Sequence, residues 1–290
     1  MKRVHVLPNL ITLANAFCGL LALAKGIDAL ALSHDDPSVF YRKMETACFL
    51  VFLGMIFDSL DGAVARLARA HTAFGAQLDS FSDALTFGVA PAMLVKVLLE
   101  YEARASGDPS AARLHFLAAA FFALMAILRL VRYNLETGEE DEHQSFRGLP
   151  SPAAAGAVAS TIWLYLILRR PELEQVEGTP TPMNRLLAWM ETVDWGPILD
   201  HVPTALVLAL PLFGILMVSR LPYVHMVTRL IGKGQFFTLV AVVVTVFLFF
   251  TAPVPFLFLA FNGYAFFGLV VPLFARRFGR SGSAGEVRGA

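Results

Sequence analysis

Apolar runs long enough to cross a bilayer recur along this chain between short polar connections, and no other feature narrows its possible folds so far. A hydrocarbon core about 30 Å thick needs roughly 20 apolar residues per helix. Segments of that kind lie near residues 7–31, 44–66, 80–100, 112–134, 151–169, 201–219, 235–251 and 254–276. A bilayer offers no partner to backbone N–H and C=O groups, so such segments are expected to be helical. The composition agrees: 57% of residues are hydrophobic and 16% charged, with a mean hydropathy of +0.63, too apolar for a soluble domain. The expected fold is all-α, a polytopic integral membrane helical bundle of six to eight transmembrane helices. The count is open because only Ala252-Pro253-Val254-Pro255 parts the last two segments, which could form one re-entrant hairpin.

Charge supplies orientation. Lys2, Arg3, Arg66, Arg69, Arg129, Arg132, Arg276 and Arg277 fall at the termini or on alternate connections, which places both termini in the cytoplasm of a multi-pass protein of the cell membrane. The net charge of zero gives no footprint for nucleic acid. Cys18 and Cys48 lie within apolar segments and read as small buried hydrophobes. The N-terminus, MKRVHVLPNLITLANAF, lacks a small-x-small cleavage site and reads as a retained first helix. Residues 135–147, LETGEEDEHQSFR, read as an acidic solvated connector, and the MNRLLAWMETVDW stretch within 170–200 as a short helix in the membrane interface. Residues 1–280 form one expected transmembrane domain, and 281–290 a disordered tail.

Against this background the stretch DSLDGAVARLARAHTAFGAQLDSFSD, residues 58–83, is expensive. An ionised carboxylate at the centre of a membrane helix costs about 3 kcal/mol on insertion scales, so such groups face a cavity, pair with cations or bind metal. Asp58 and Asp61, at i and i+3, share one helix face; Asp79 and Asp83, at i and i+4, share a face of the next helix. A tight turn between the two would bring these faces together, and four converging carboxylates repel one another unless divalent cations neutralise them. Ligation by oxygen alone suits Mg²⁺ or Mn²⁺, ions that keep positions open for phosphates. Gly62 and Gly75 remove side chains where a ligand could approach, Ala65 keeps the face low, and Arg66 offers a planar fork to a phosphate.

Written as D-x-x-D-G-x-x-A-R, then eight residues, then G-x-x-x-D-x-x-x-D, the stretch resembles without a departure the signature of the CDP-alcohol phosphatidyltransferases. The resemblance implies a membrane enzyme that moves a phosphatidyl group from a CDP-linked lipid to an alcohol, releases CMP and uses two divalent ions, Mg²⁺ or Mn²⁺. It implies that Asp58, Asp61 and Asp79 ligate metal, and that Asp83 contacts metal and serves as the base. It also places Asp61, Gly62, Ala65, Arg66 and Gly75 around the cytidine diphosphate. Asn9 and Thr12, at i and i+3 in the first helix, either touch the nucleotide or bond helix to helix.

Further segments resemble one branch, the membrane-spanning phosphatidylserine synthases of bacteria and archaea: LPNLITLANAFCG at 7–19, FGAQLDSFSDALTFGVAPA at 74–92, LRLVRYN at 128–134, FRGLPSPAAAG at 146–156 and LMVSRLPY at 216–223. That branch implies CDP-diacylglycerol as donor and L-serine as acceptor, within a homodimer surrounded by membrane lipids. A serine zwitterion needs a cation for its carboxylate. Arg129 and Arg132, with Asn134 nearby, either supply it or anchor the helix end at the membrane surface. Gly148, Pro150 and Ser151 either contact serine or form a plain turn into the fifth segment. Two other readings remain open on the sequence: another acceptor, such as glycerol phosphate or inositol phosphate, and a cation transporter built on the same aspartates.

Overall fold

A computed structural model describes residues 6–33, 36–67, 72–106, 112–136, 148–171, 188, 192–221, 223 and 235–278. Among these residues the chain is helical, with no strand. The elements are α1 (Val6–Leu32), α2 (Pro37–Leu67), α3 (Ala73–Asp83), a π-helical turn (Ala84–Val89), α4 (Ala90–Ser106), α5 (Ala112–Glu136) and α6 (Ser151–Arg169). A short α7 (Gly196–Leu199), α8 (Val202–Val218), α9 (Gln235–Thr251) and α10 (Pro253–Phe278) follow. Seven spans are long and apolar enough to cross a membrane, and a shorter apolar helix covers Leu239–Thr251. This lies within the expected range of six to eight.

Two boundaries differ from the sequence expectation, each for a local reason. The second span starts at Pro37 rather than near 44: proline suits the first helical turn, and Asp36 Oδ1 accepts from Ser38 N–H at 2.8 Å, satisfying a donor that the helix leaves open. The third starts at Ala73 rather than near 80, because Thr72 caps it, its Oγ1 accepting from Gly75 N–H at 3.0 Å. The third span therefore runs Ala73–Arg104, and its first turns carry the second pair of aspartates. Between α9 and α10 stands only Ala252, and the bonds from Ala252 N–H to Leu248 O and from Phe256 N–H to Ala252 O keep helical spacing on both sides of it. The acidic connector at 137–147, most of the interfacial segment at 172–191 and the tail at 281–290 lie outside the described residues.

Small residues set the packing, as expected where lipid supplies no hydrophobic drive between helices. Thr86, in the π turn, sits between two glycines. A Cβ at Gly19 would lie 2.9 Å from Thr86 Cα, and one at Gly54 would lie 2.5 Å from Thr86 Cγ2. Ser82 Oγ donates to Thr12 O at 3.0 Å and Thr86 Oγ1 to Asn15 O at 2.9 Å, which ties α3 and the π turn to α1. The alanine-rich α6 is buried along most of its length. Against it α10 runs antiparallel: Val254 packs with Ile167 near the end of α6, and Phe261 covers Gly156 near its start. Asn262 Nδ2 lies 3.3 Å from both Ala157 O and Thr161 Oγ1 and ties the two helices midway. One end of the bundle thus gathers the start of α1, the end of α2, the start of α3, the end of α5, the start of α6 and the later turns of α10.

Candidate active site

That end carries the aspartates. One oxygen each from Asp58, Asp61 and Asp79 lies within 4.8 Å of the others, a spacing that fits ligation of a single cation. Asp61 Oδ2 and Asp79 Oδ1 are buried without a hydrogen-bond partner among the described residues. Buried unpaired carboxylate oxygens are costly, and a bound divalent ion is the partner that suits an all-oxygen set. The residues present therefore fit a divalent metal. Asp83 stands outside this trio: its carboxyl lies against that of Asp58 and accepts from Asn15 Nδ2 at 3.1 Å through Oδ1.

Beside the trio opens a cavity of about 580 Å³ lined by Pro8, Asn9, Thr12, Asp61, Gly62, Ala65, Arg66, Thr72, Ala73, Gly75, Ala76, Asp79 and Tyr133. Every residue that the sequence assigned to the nucleotide and diphosphate, from Asn9 to Gly75, lies on its wall. Thr12 Oγ1 also donates to Pro8 O at 3.1 Å, so part of its role is within α1. The floor at Gly75 is crowded: a Cβ there would come 3.1 Å from Thr72 Oγ1 and 3.4 Å from Asn9 Oδ1. Gly62 faces the folded-back Arg66, whose Nη1 would lie 3.5 Å from a Cβ at 62. The sequence reading missed Tyr133, which reaches this wall from α5. A tyrosine at the end of a membrane helix carries no periodic signal of its own.

The residues assigned to the acceptor separate into two groups. Arg129 Nη1 donates to Ser151 Oγ at 2.6 Å, and the guanidinium lies within electrostatic range of Asp83. Arg129 Nε is buried and finds no partner among the described residues. The others also bond within the scaffold. Arg132 Nη1 donates to Val218 O at 3.3 Å, and Asn134 Nδ2 donates to Ser80 Oγ at 2.9 Å, fixing α5 to the aspartate-bearing α3. Gly148, at φ 85°, donates its N–H to Leu221 O at 2.9 Å, and Leu149 N–H donates to Leu216 O at 2.9 Å. Pro150 leads extended backbone into α6 and so places Ser151 at its first position.

Comparison with known proteins agrees with this geometry. The chain is 32% identical over 164 residues to the CDP-diacylglycerol–serine O-phosphatidyltransferase of Helicobacter pylori (strain ATCC 700392 / 26695), covering 56% of this chain and 59% of that protein. It is 32% identical over 162 residues to the enzyme of the same name from Bacillus subtilis (strain 168), covering 56% and 78%. To the archaetidylserine synthase of Methanothermobacter thermautotrophicus it is 35% identical over 156 residues, covering 53% and 56%. The match thus spans little more than half the length of two of these relatives. The family model for CDP-alcohol phosphatidyltransferases matches residues 5–195, which include every aspartate of the cluster and both Arg129 and Ser151. By that match, over well more than half its length, the chain belongs to the CDP-alcohol phosphatidyltransferase family.

Proposed function

We propose that this protein transfers the phosphatidyl group of CDP-diacylglycerol to the hydroxyl of L-serine, giving phosphatidylserine and CMP. The observation that carries the reading is the juxtaposition, at one end of a membrane bundle, of a carboxylate trio with unpaired oxygens, a cavity of nucleotide size and a half-buried arginine near Asp83. The names of the relatives in bacteria and archaea support serine as the acceptor.

Asp58, Asp61 and Asp79 would hold Mg²⁺ or Mn²⁺, which supplies positive charge against the diphosphate. Asn9, Thr12, Ala65, Arg66 and Gly75 seat the cytidine diphosphate, with the Arg66 fork directed at phosphate oxygens. The Arg129 cation draws the serine carboxylate to the side of the cluster where Asp83 stands. As the serine Oγ forms its bond to the lipid-side phosphorus, its proton passes to a carboxylate oxygen of Asp83, and the P–O bond to CMP breaks with its electron pair leaving on CMP. Asn15 keeps the Asp83 carboxyl turned toward that proton. The exposed apolar faces of α1 and α5 let the diacylglycerol chains remain in the bilayer while the headgroup enters. The site faces the cytoplasm in this reading, residues 1–280 act as one catalytic unit, and the protein functions as a homodimer.

The test is CMP release by purified protein in CDP-diacylglycerol micelles with Mg²⁺ or Mn²⁺. Release that depends on serine supports the reading, and release with glycerol phosphate or inositol phosphate instead transfers it to another acceptor. No release with any alcohol, together with cation flux in liposomes, overturns it in favour of a transporter. Substantial turnover by Asp83→Asn at neutral pH removes Asp83 as the base.

A further inference from the structure

The family model ends at residue 195, yet α10 returns to the aspartate end of the bundle and brings Tyr264 with it. Arg129 lies within electrostatic range of both Asp83 and Tyr264. Its guanidinium is only partly satisfied: Nη1 holds Ser151, while Nε is buried without a partner among the described residues.

The Tyr264 ring is fixed. It packs against Tyr223 with centroids 5.6 Å apart and planes at 47°. Tyr223 is buried, and its hydroxyl donates to Ala265 O at 3.2 Å. One helical turn beyond Tyr264, Gly268 makes room for it: a Cβ there would lie 2.0 Å from Tyr223 Cε1. Tyr223 follows a strap that is tied to the rest of the site, since Leu216 and Leu221 accept from Leu149 and Gly148 and Val218 accepts from Arg132. The helix of Arg129, the start of the helix of Ser151 and the helix of Tyr264 are therefore locked to one another through this strap.

We propose that Tyr264 selects the acceptor. With Arg129 and Ser151 it walls the acceptor subsite opposite Asp83, its hydroxyl donating to the same carboxylate that Arg129 neutralises and its ring limiting the bulk of the alcohol. The ligand class is a small hydroxy amino acid. The inference rests on the reading of Arg129 as the partner of the acceptor carboxylate, and it makes a segment beyond the family match part of the specificity.

Steady-state CMP release by Tyr264→Phe and Tyr264→Ala tests it, with serine, threonine and homoserine as acceptors and thermal unfolding in detergent as the control. Loss of one hydrogen bond to a charged group raises the serine KM of Tyr264→Phe about tenfold. The kcat, the KM for CDP-diacylglycerol and the unfolding temperature stay at wild-type values. Tyr264→Ala gains turnover with homoserine relative to serine. An unchanged serine KM in folded Tyr264→Phe overturns the proposal, as does a fall in kcat and unfolding temperature with both KM values unchanged, which marks a structural role. If Tyr264→Ala fails to fold, Tyr264→Phe alone decides. If wild type releases CMP with another hydroxy amino acid and not with serine, the serine reading fails while the KM of Tyr264→Phe for that acceptor decides this proposal in the same way; release only with an alcohol that carries no carboxylate overturns both. Silence with every alcohol overturns both.

Discussion

Asn15 and Asp83 stand 68 positions apart in the chain and meet at 3.1 Å, the amide Nδ2 donating to the carboxylate Oδ1. The same residue accepts Thr86 Oγ1 on its backbone carbonyl, so α1 holds both the last residue of α3 and the π turn that follows it. A hydrogen bond to a charged group is worth about 1.5–3 kcal/mol, or roughly 10- to 100-fold. Asn15→Ala should lower kcat by that factor while leaving the KM for CDP-diacylglycerol within about twofold. The measurement is CMP release against both substrates, with the unfolding temperature as control. Wild-type kcat in the folded variant excludes Asn15 as the residue that orients Asp83.

The carboxylate trio predicts a division between metal and nucleotide. Asp61→Asn and Asp79→Asn each remove charge from an oxygen set that has unpaired buried members, and Mn²⁺ binding, read by electron paramagnetic resonance, should weaken at least about 10-fold. Arg66→Ala, on the cavity wall but outside the trio, should keep Mn²⁺ affinity and lose CDP affinity. Chelation with EDTA should abolish CMP release and Mn²⁺ should restore it. Equal Mn²⁺ affinity in wild type and Asp79→Asn rejects the assignment.

Gly19 predicts the cost of disturbing the π turn. A Cβ there would meet the Thr86 backbone at 2.9 Å, and backbone cannot yield as a side-chain tip can. Overpacking of this kind costs about 1–3 kcal/mol. Because Asp83 immediately precedes the turn, Gly19→Ala should lower both unfolding temperature and kcat. Gly263→Ala on α10, where a Cβ meets nothing within 4 Å, is the matched control and should change neither. Wild-type stability in Gly19→Ala would mean that the π turn shifts without penalty.

The aspartate faces were legible in the sequence because helical spacing turns i, i+3 and i, i+4 into shared faces, and because a membrane makes every carboxylate conspicuous. Gly62, Ala65, Arg66 and Gly75 on the cavity wall were named from the same stretch through the family resemblance, and Asn9 and Thr12 from their spacing on the first helix. What spacing could not supply was the separation of Asp83 from the trio, which depends on an amide on another helix. Nor could it sort the two arginines of LRLVRYN. Both lie one helical turn apart, yet Arg129 faces Ser151 and the cluster while Arg132 caps the end of α8. Tyr223 and Gly268 were invisible for a similar reason, since a ring seated over a glycine leaves no mark in either local sequence.

Tyr133 carries the last prediction. It lines the nucleotide cavity from α5, together with Asn9 of α1 and Gly75 of α3, and is about half exposed. An aromatic face on the wall of a cytidine-sized cavity is a stacking platform, and such stacking is worth about 1–3 kcal/mol per base. Tyr133→Ala should therefore weaken CDP binding and raise the KM for CDP-diacylglycerol by roughly 5- to 100-fold, whereas Tyr133→Phe, which keeps the ring, should stay near wild type. Calorimetric titration with CDP separates this from a hydroxyl contact: if Tyr133→Phe loses as much affinity as Tyr133→Ala, the phenol oxygen rather than the ring binds the nucleotide, and the stacking assignment falls.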